Sequence, residues 1–309
     1  MDTFIQQIIN GLVLGSMYAL VALGYTMVYG VLNLINFAHG DVLMIGAMIG
    51  LSILNVLEAH FPGLPGYVNL FIAIAGAIPA CMLVNVIIER VAYRRLRNAP
   101  RLAPLITAIG ISTLLQTFAM MIWGRSPLPF KQLLSSEPIA VGGALISQTQ
   151  LLLLVLAAVA MVSLVLLVEK TKMGRAMRAT AENPRVAGLM GVDSNKVIVS
   201  TFAIGAALAA VAGVMWGANY SSVQFSMGVV PGMKAFSAAV LGGIGNIYGA
   251  MIGGLVLGII ESLGAGYIGD LTGGFLGSHY QDIFAFVVLI IVLTIRPSGI
   301  MGERVADRA

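Results

Sequence analysis
Apolar runs about as long as a bilayer is thick recur along the whole chain, and no other feature limits the possible folds so tightly. A helical crossing of the hydrocarbon core takes about 20 consecutive apolar residues. Such runs fall at residues 4–28, 32–57, 67–89, 102–123, 150–168, 197–218, 232–262 and 281–295, with short polar joints between them. Composition agrees: 59% of the 309 residues are hydrophobic and 10% are charged, where a soluble domain carries about 25% charge. A soluble core could not absorb that much apolar side chain, so the bilayer is the solvent. The seventh run is interrupted by LGGIGN at 241–246, which predicts either two short crossings or a re-entrant segment plus one helix. The expected fold is an all-α polytopic membrane protein of eight or nine transmembrane segments, one domain over residues 1–309.

Charge sets the orientation. The first basic residue is Arg90; five then lie between Arg90 and Arg101, six between Lys170 and Lys196, and three from Arg296 onward, so 14 of the 17 occupy three segments. Lys and Arg are retained on the cytoplasmic side of a membrane, which assigns these segments and the C-terminus inside and leaves 124–149 outside. Counting back three spans puts the N-terminus outside. The net charge of +4 then reflects topology rather than nucleic-acid binding. The opening MDTFIQQ lacks the basic n-region of a cleavable signal, so the first run is expected to stay as a helix. Cys81 has no partner cysteine, which excludes a disulfide framework and a Cys-based metal site. The 37 glycines suit close helix packing in lipid. GLVLG occurs at 11–15 and again at 254–258; Gly-broken segments in two halves of a transporter point to a site built from discontinuous helices, and chance recurrence is the competing explanation.

Polar groups inside apolar runs are the candidate site. NFAHGD at 36–41 brings an amide, an imidazole and a carboxylate together, and ionisable groups within a membrane normally face a cavity or a partner. The candidate substrate pathway is therefore Asn36, His39, Gly40 and Asp41, with Gly242, Gly243, Gly245 and Asn246 at the second break and Glu261 at the end of its run. The alternative is that His39 and Asp41 cap a short cytoplasmic turn and that Glu261 is solvated near the outer face. His60 and His279 fall in external loops without metal-ligand spacing. No GxSxG elbow or Walker A loop is present, so no catalytic residue, metal or cofactor is expected on this chain. If ATP drives it, another chain binds the nucleotide.

Residues 169–196 form a loop with helix punctuation of their own. Asn183 can serve as N-cap, Pro184 as the first helical residue and Gly191 as terminator, which predicts a short surface helix over 184–190 exposing Val186, Ala187, Leu189 and Met190. Such a helix suits a groove on a soluble partner; an amphipathic linker is the plainer reading.

Four segments, GSMYALVALGYTMVYGVLNLINFAHGDVLMIGA, IERVAYRRLR, MGRAMRATAENPRVAGLMGVD and KAFSAAVLGGIGNIYGAMIGG, resemble in order and spacing the LivH-type permeases of bacterial branched-chain amino-acid ABC importers, over nearly the full length. The resemblance implies a non-catalytic permease paired with a LivM-like permease, two cytoplasmic ATPases that hold ATP and Mg, and a periplasmic binding protein. It also implies that Glu182, Asn183, Pro184, Ala187, Gly188, Leu189 and Gly191 belong to the segment that receives ATPase motion. Similar permeases carry urea, short amides and other amino acids, so the solute stays open. A self-sufficient secondary transporter or channel is the rival transport reading, and an intramembrane enzyme lacks its reactive groups. A zwitterionic solute needs donors for its carboxylate, which broken-helix N-termini near 36–40 and 242–246 could supply.

Overall fold
The computed structural model describes residues 2–97, 99–100, 102–134, 138–141, 143–271 and 281–302. The expectations for His279 and for the end of the chain lie outside these residues. The apolar runs form helices because a helix satisfies its own backbone where no water can. In chain order they are α1 (Asp2–Leu32), α2 (His39–His60), α3 (Gly66–Ile88), a π turn (Glu89–Tyr93) leading into α4 (Arg94–Leu96), α5 (Leu102–Trp123) and α6 (Gln148–Lys170). There follow α7 (Lys172–Glu182), α8 (Pro184–Leu189), α9 (Ser194–Tyr220), α10 (Val229–Gly242), α11 (Ile247–Leu271) and α12 (Gln281–Ile295). Among the described residues seven helices are long and apolar enough to cross a membrane, and α10 and part of α12 are shorter apolar helices.

Local chemistry fixes many boundaries. Ser147 and Gln150 make a capping box at the start of α6. Asp193 caps α9 by accepting from the N–H groups of Asn195 and Lys196 at 3.0 and 3.2 Å; the Lys196 N–H, together with the Lys196 ammonium, holds this exposed carboxyl below the usual carboxylate range. Asn33 and Ser221, at φ 53° and 54°, turn the chain out of α1 and α9. Gly243 and Gly245, at φ 109° and 96°, make the turn between α10 and α11, so the long seventh run is two helices. The second span begins at His39 rather than residue 32, because 33–38 is not helical; α11 runs on to Leu271, past the expected end at 262; and α7 adds an amphipathic helix to the 169–196 loop.

The core lies around α1 and α9, which have 72% and 78% of an apolar window buried, against 17% for α5. The most extensive packing is antiparallel, between α1 and α11. A Cβ added at Gly258 would lie 2.3 Å from the Cα of Gly15, and one at Gly11 would lie 2.6 Å from the Cα of Ile259. The two GLVLG segments therefore meet face to face, and only glycine lets the backbones approach this far. Farther along, Gly30 lies beside Gly245. This end of the bundle, the basic end, also holds Lys170, Arg178 and Ser298 around a cavity of about 940 Å³. Short strands gather at the opposite end. β1 (Leu128–Pro129) pairs antiparallel with β4 (Ser222–Val223), and β2 (Ile139–Val141) with β3 (Ala144–Ile146). Gln6 ties the hairpin to α1 through both its amide groups, to the O and N of Leu145 at 2.9 and 2.8 Å.

One buried ion pair joins the short helix to this core. Lys234 of α10 meets Glu261 of α11 at 2.6 Å, and the Tyr18 hydroxyl of α1 donates to the same carboxylate at 3.1 Å. Lys234 and Glu261 are 4% and 2% exposed. Removing one partner of such a pair strands a buried charge and costs about 3–5 kcal/mol, whereas replacing both with apolar residues of similar size is often neutral. Lys234→Met should therefore lower the melting temperature of the purified protein sharply, and Lys234→Met with Glu261→Met should recover most of the loss. Equal melting of the single variant and the parent would show that the pair does not hold α10.

Candidate functional site
Two helices begin inside the bundle rather than at its ends. His39, the first residue of α2, packs against Gly24 of α1, eight residues short of Leu32 and so about 12 Å back along that helix at 1.5 Å per residue. The segment 33–38 carries the chain back in from the basic end. At the start of α10, Gly228 and Gly232 lie against Gly40: a Cβ on Gly228 would come within 2.2 Å of the Gly40 carbonyl oxygen, and one on Gly40 within 2.4 Å of that of Gly228. The N-termini of α2 and α10 thus meet through glycine. Neither has a side-chain cap, the N-cap residues being Ala38 and Gly228. The first N–H groups are satisfied locally, those of His39 and Asp41 by Asn36 O and Ala38 O and that of Val229 by Ser226 O, and the two converging dipoles make the junction electropositive.

Asp41 sits in the first turn of α2, 2% exposed, and accepts from the Gln116 amide of α5 at 3.0 Å. It borders a cavity of about 370 Å³ between α2, α5 and α10, walled also by Phe37, Ser112, Gly228 and Met233. The cavity reaches the surface, since Ile109, Val229 and Met233 are exposed. Gly40 adjoins it through its packing on Gly228 and Gly232. His39 points elsewhere: it is buried against Gly24, stands edge-on to Tyr25 at 5.1 Å, and neither ring nitrogen has a protein partner. Asn36 braces the re-entering segment, accepting from the Tyr93 hydroxyl at 2.9 Å and from the Ala38 N–H at 3.2 Å.

The remaining sequence candidates are not gathered there. Gly242, Gly243, Gly245 and Asn246 stand at the basic end, the length of α10 away, about 21 Å for its fourteen residues. There the Asn246 side chain donates to Met301 O and accepts from Gly249 N, both at 3.0 Å, closing the turn and anchoring the chain after α12. Glu261 is neither solvated nor at the Asp41 cavity; it is committed to Lys234 and Tyr18. Sequence reasoning passed over Lys234, although a lone basic residue outside all three clusters was the available signal. Gln116 and Ser112 carried no signal, because an amide and a hydroxyl on an apolar helix read as packing.

The loop at the basic end has the local structure its residues dictate. The Asn183 side chain accepts from the N–H groups of Arg185 and Val186 at 3.0 and 3.2 Å, Pro184 opens α8, and Gly191 follows at φ 85°. Leu189 and Met190 are 87% and 81% exposed, and Val186 is exposed too. Ala187 departs from expectation: it is buried beneath the helix. Glu182 and Gly188 are exposed, and a Cβ on Gly188 would meet nothing within 4 Å.

Comparison with known proteins agrees with this architecture. Residues 7–293 match the family model described as the permease component of branched-chain amino acid transport systems. The chain is 44% identical over 305 residues to the high-affinity branched-chain amino acid transport system permease protein BraD of Pseudomonas aeruginosa, covering 97% of this chain and 96% of that protein. It is 43% identical over 306 residues to the corresponding permease protein LivH of Escherichia coli K12, with the same coverage. A ribose import permease protein of that strain, RbsC, is 30% identical over 131 residues, 40% of this chain and 39% of its own length. A helical bundle with seven membrane-length helices among its described residues, matched over nearly its whole length by such proteins, belongs to the family of branched-chain amino acid transport permeases.

Proposed function
We propose that this chain is one permease subunit of an ATP-driven importer that moves branched-chain amino acids across a bacterial inner membrane. The observation that carries the reading is the meeting of two helix N-termini beside a cavity that opens at the surface. Non-helical backbone at membrane depth is tolerated only where protein or a water-filled cavity covers it. The 33–38 and 221–228 segments are partly exposed, which supports a second, LivM-like permease against the face made by α5 and α10, with the solute path between. On this reading α10 and α12 complete the crossings begun by the seven long helices, and Asn36, His39, Gly40 and Asp41 border or brace the path. Two ATPases bind at the basic end and supply ATP and Mg, and a periplasmic protein delivers the solute at the strand-bearing end. Proteoliposomes holding the whole assembly should take up leucine, isoleucine and valine only with ATP on the ATPase side. Uptake of urea or acetamide in their place, or uptake by this chain alone down an ion gradient, would overturn the assignment.

Orientation follows from the basic end being cytoplasmic. In a Cys81→Ala background, Leu189→Cys should resist an impermeant thiol reagent in intact spheroplasts and react once they are permeabilised. Labelling of intact spheroplasts would invert the topology.

The same end supports coupling through α8. Its exposed Val186, Leu189 and Met190 form an apolar knob that a solvated linker would not need, and the open space at Gly188 admits bulk without disturbing the fold. Gly188→Trp should leave the membrane domain folded while weakening ATPase association or abolishing the stimulation of hydrolysis by loaded binding protein. Import at the parental rate would reduce α8 to a connector.

A further inference from the structure
We propose that Asp41 is the acceptor for the ammonium group of the transported solute, and that the 370 Å³ cavity between α2, α5 and α10 takes an aliphatic zwitterion; this rests on the permease reading above. A carboxylate buried in a membrane protein is normally paired. Among the described residues no Lys, Arg or His nitrogen lies within 4 Å of Asp41, and its side-chain partners are neutral, the Ser112 hydroxyl and the Gln116 amide. What the carboxylate borders in place of a cation is the cavity.

The other walls fit the rest of such a molecule. Leu105, Ile109, Phe37 and Met233 are apolar and suit a branched hydrocarbon chain. Gly228 and Val229, at the uncapped start of α10, bring the positive end of that helix to the same space, where it favours a carboxylate. The volume is at the small end of ligand pockets, about 300–1,000 Å³. A solute with both charges and an aliphatic tail satisfies all three walls, whereas urea or a short amide leaves the Asp41 charge unpaired. The competing role for Asp41 is to complement the dipole of α2 as a first-turn acid, which requires nothing of the solute.

Protection of a cavity cysteine separates the two. In the complete complex in lipid nanodiscs, with Cys81→Ala and Met233→Cys, labelling by a small thiol reagent is followed with leucine, 3-methylbutylamine or 3-methylbutanoate present. Leucine and the amine should slow labelling and the carboxylate should not. Asp41→Asn, which keeps shape and hydrogen bonding, should weaken protection by about tenfold or more, as expected for loss of a charge-assisted hydrogen bond. Gln116→Lys should do the same by placing an ammonium beside Asp41, and it provides the answer should Asp41→Asn not assemble. Protection by the carboxylate equal to that by the amine, or protection unchanged in the assembled variants, overturns the assignment even if leucine is imported. Amine protection lost in both variants while the parent complex imports no branched-chain amino acid would keep the site and discard the solute reading.

Discussion

Backbone satisfaction in hydrocarbon is the constraint on which the structure depends. A peptide group in lipid has no water to fall back on, so each crossing must be helical unless protein covers the break. The chain breaks its helices inside the bundle at two places, before His39 and before Val229, and brings the two breaks together. Gly40, Gly228 and Gly232 make that possible, because any Cβ at the junction would collide with opposing backbone. The meeting concentrates two positive dipole ends in one place. A carboxylate, Asp41, is set in the first turn of one of them.

Holding that junction in register falls to the packing around it. The α1–α11 glycine seam fixes these two helices at near-backbone contact. The Lys234–Glu261 pair, with Tyr18, then fastens α10 to both of them. Such a pair is a poor source of stability compared with packed hydrocarbon. It has a single satisfactory geometry, however, which is useful for a fourteen-residue helix whose first turn must meet another helix end on. Aromatic packing continues the brace, Tyr18 lying 6.1 Å from Trp216 and Tyr25 5.9 Å from Phe236 between ring centroids.

The basic end is organised by other means. Glu89 is fully buried, and Arg97 reaches back to pair with it while donating to Asn195 at 2.6 Å. Arg178 donates to the Val168 carbonyl near the end of α6. These contacts tie the polar connectors to the ends of α3, α6 and α9, so α8 projects from a fixed base. Motion imposed on α8 thus has a short mechanical route to the helices of the core.

The sequence alone determined the solvent, the helical class and the places where chain chemistry is local. Runs of about 20 apolar residues leave no other option, and the Asn183, Pro184 and Gly191 punctuation specifies α8 to within a residue of its observed end. Such features depend on neighbours a few positions away, and a linear reading captures them. Tertiary structure decided everything that depends on approach between distant segments. His39 and Asp41 were visible as costly polar groups, but only packing turned His39 into a buried neighbour of Gly24 and aimed Asp41 at a cavity with Gln116. The repeated GLVLG read as a pointer to a transport site and is a helix–helix seam. Glu261 read as a pathway or surface acid and is half of an ion pair with Lys234, 27 residues away in sequence. The 242–246 break joined the candidate site on composition and lies a helix length from it. The physical reason is the same in each case: the role of a small or charged residue in lipid is set by what stands opposite it, and the partner's identity is a property of the fold.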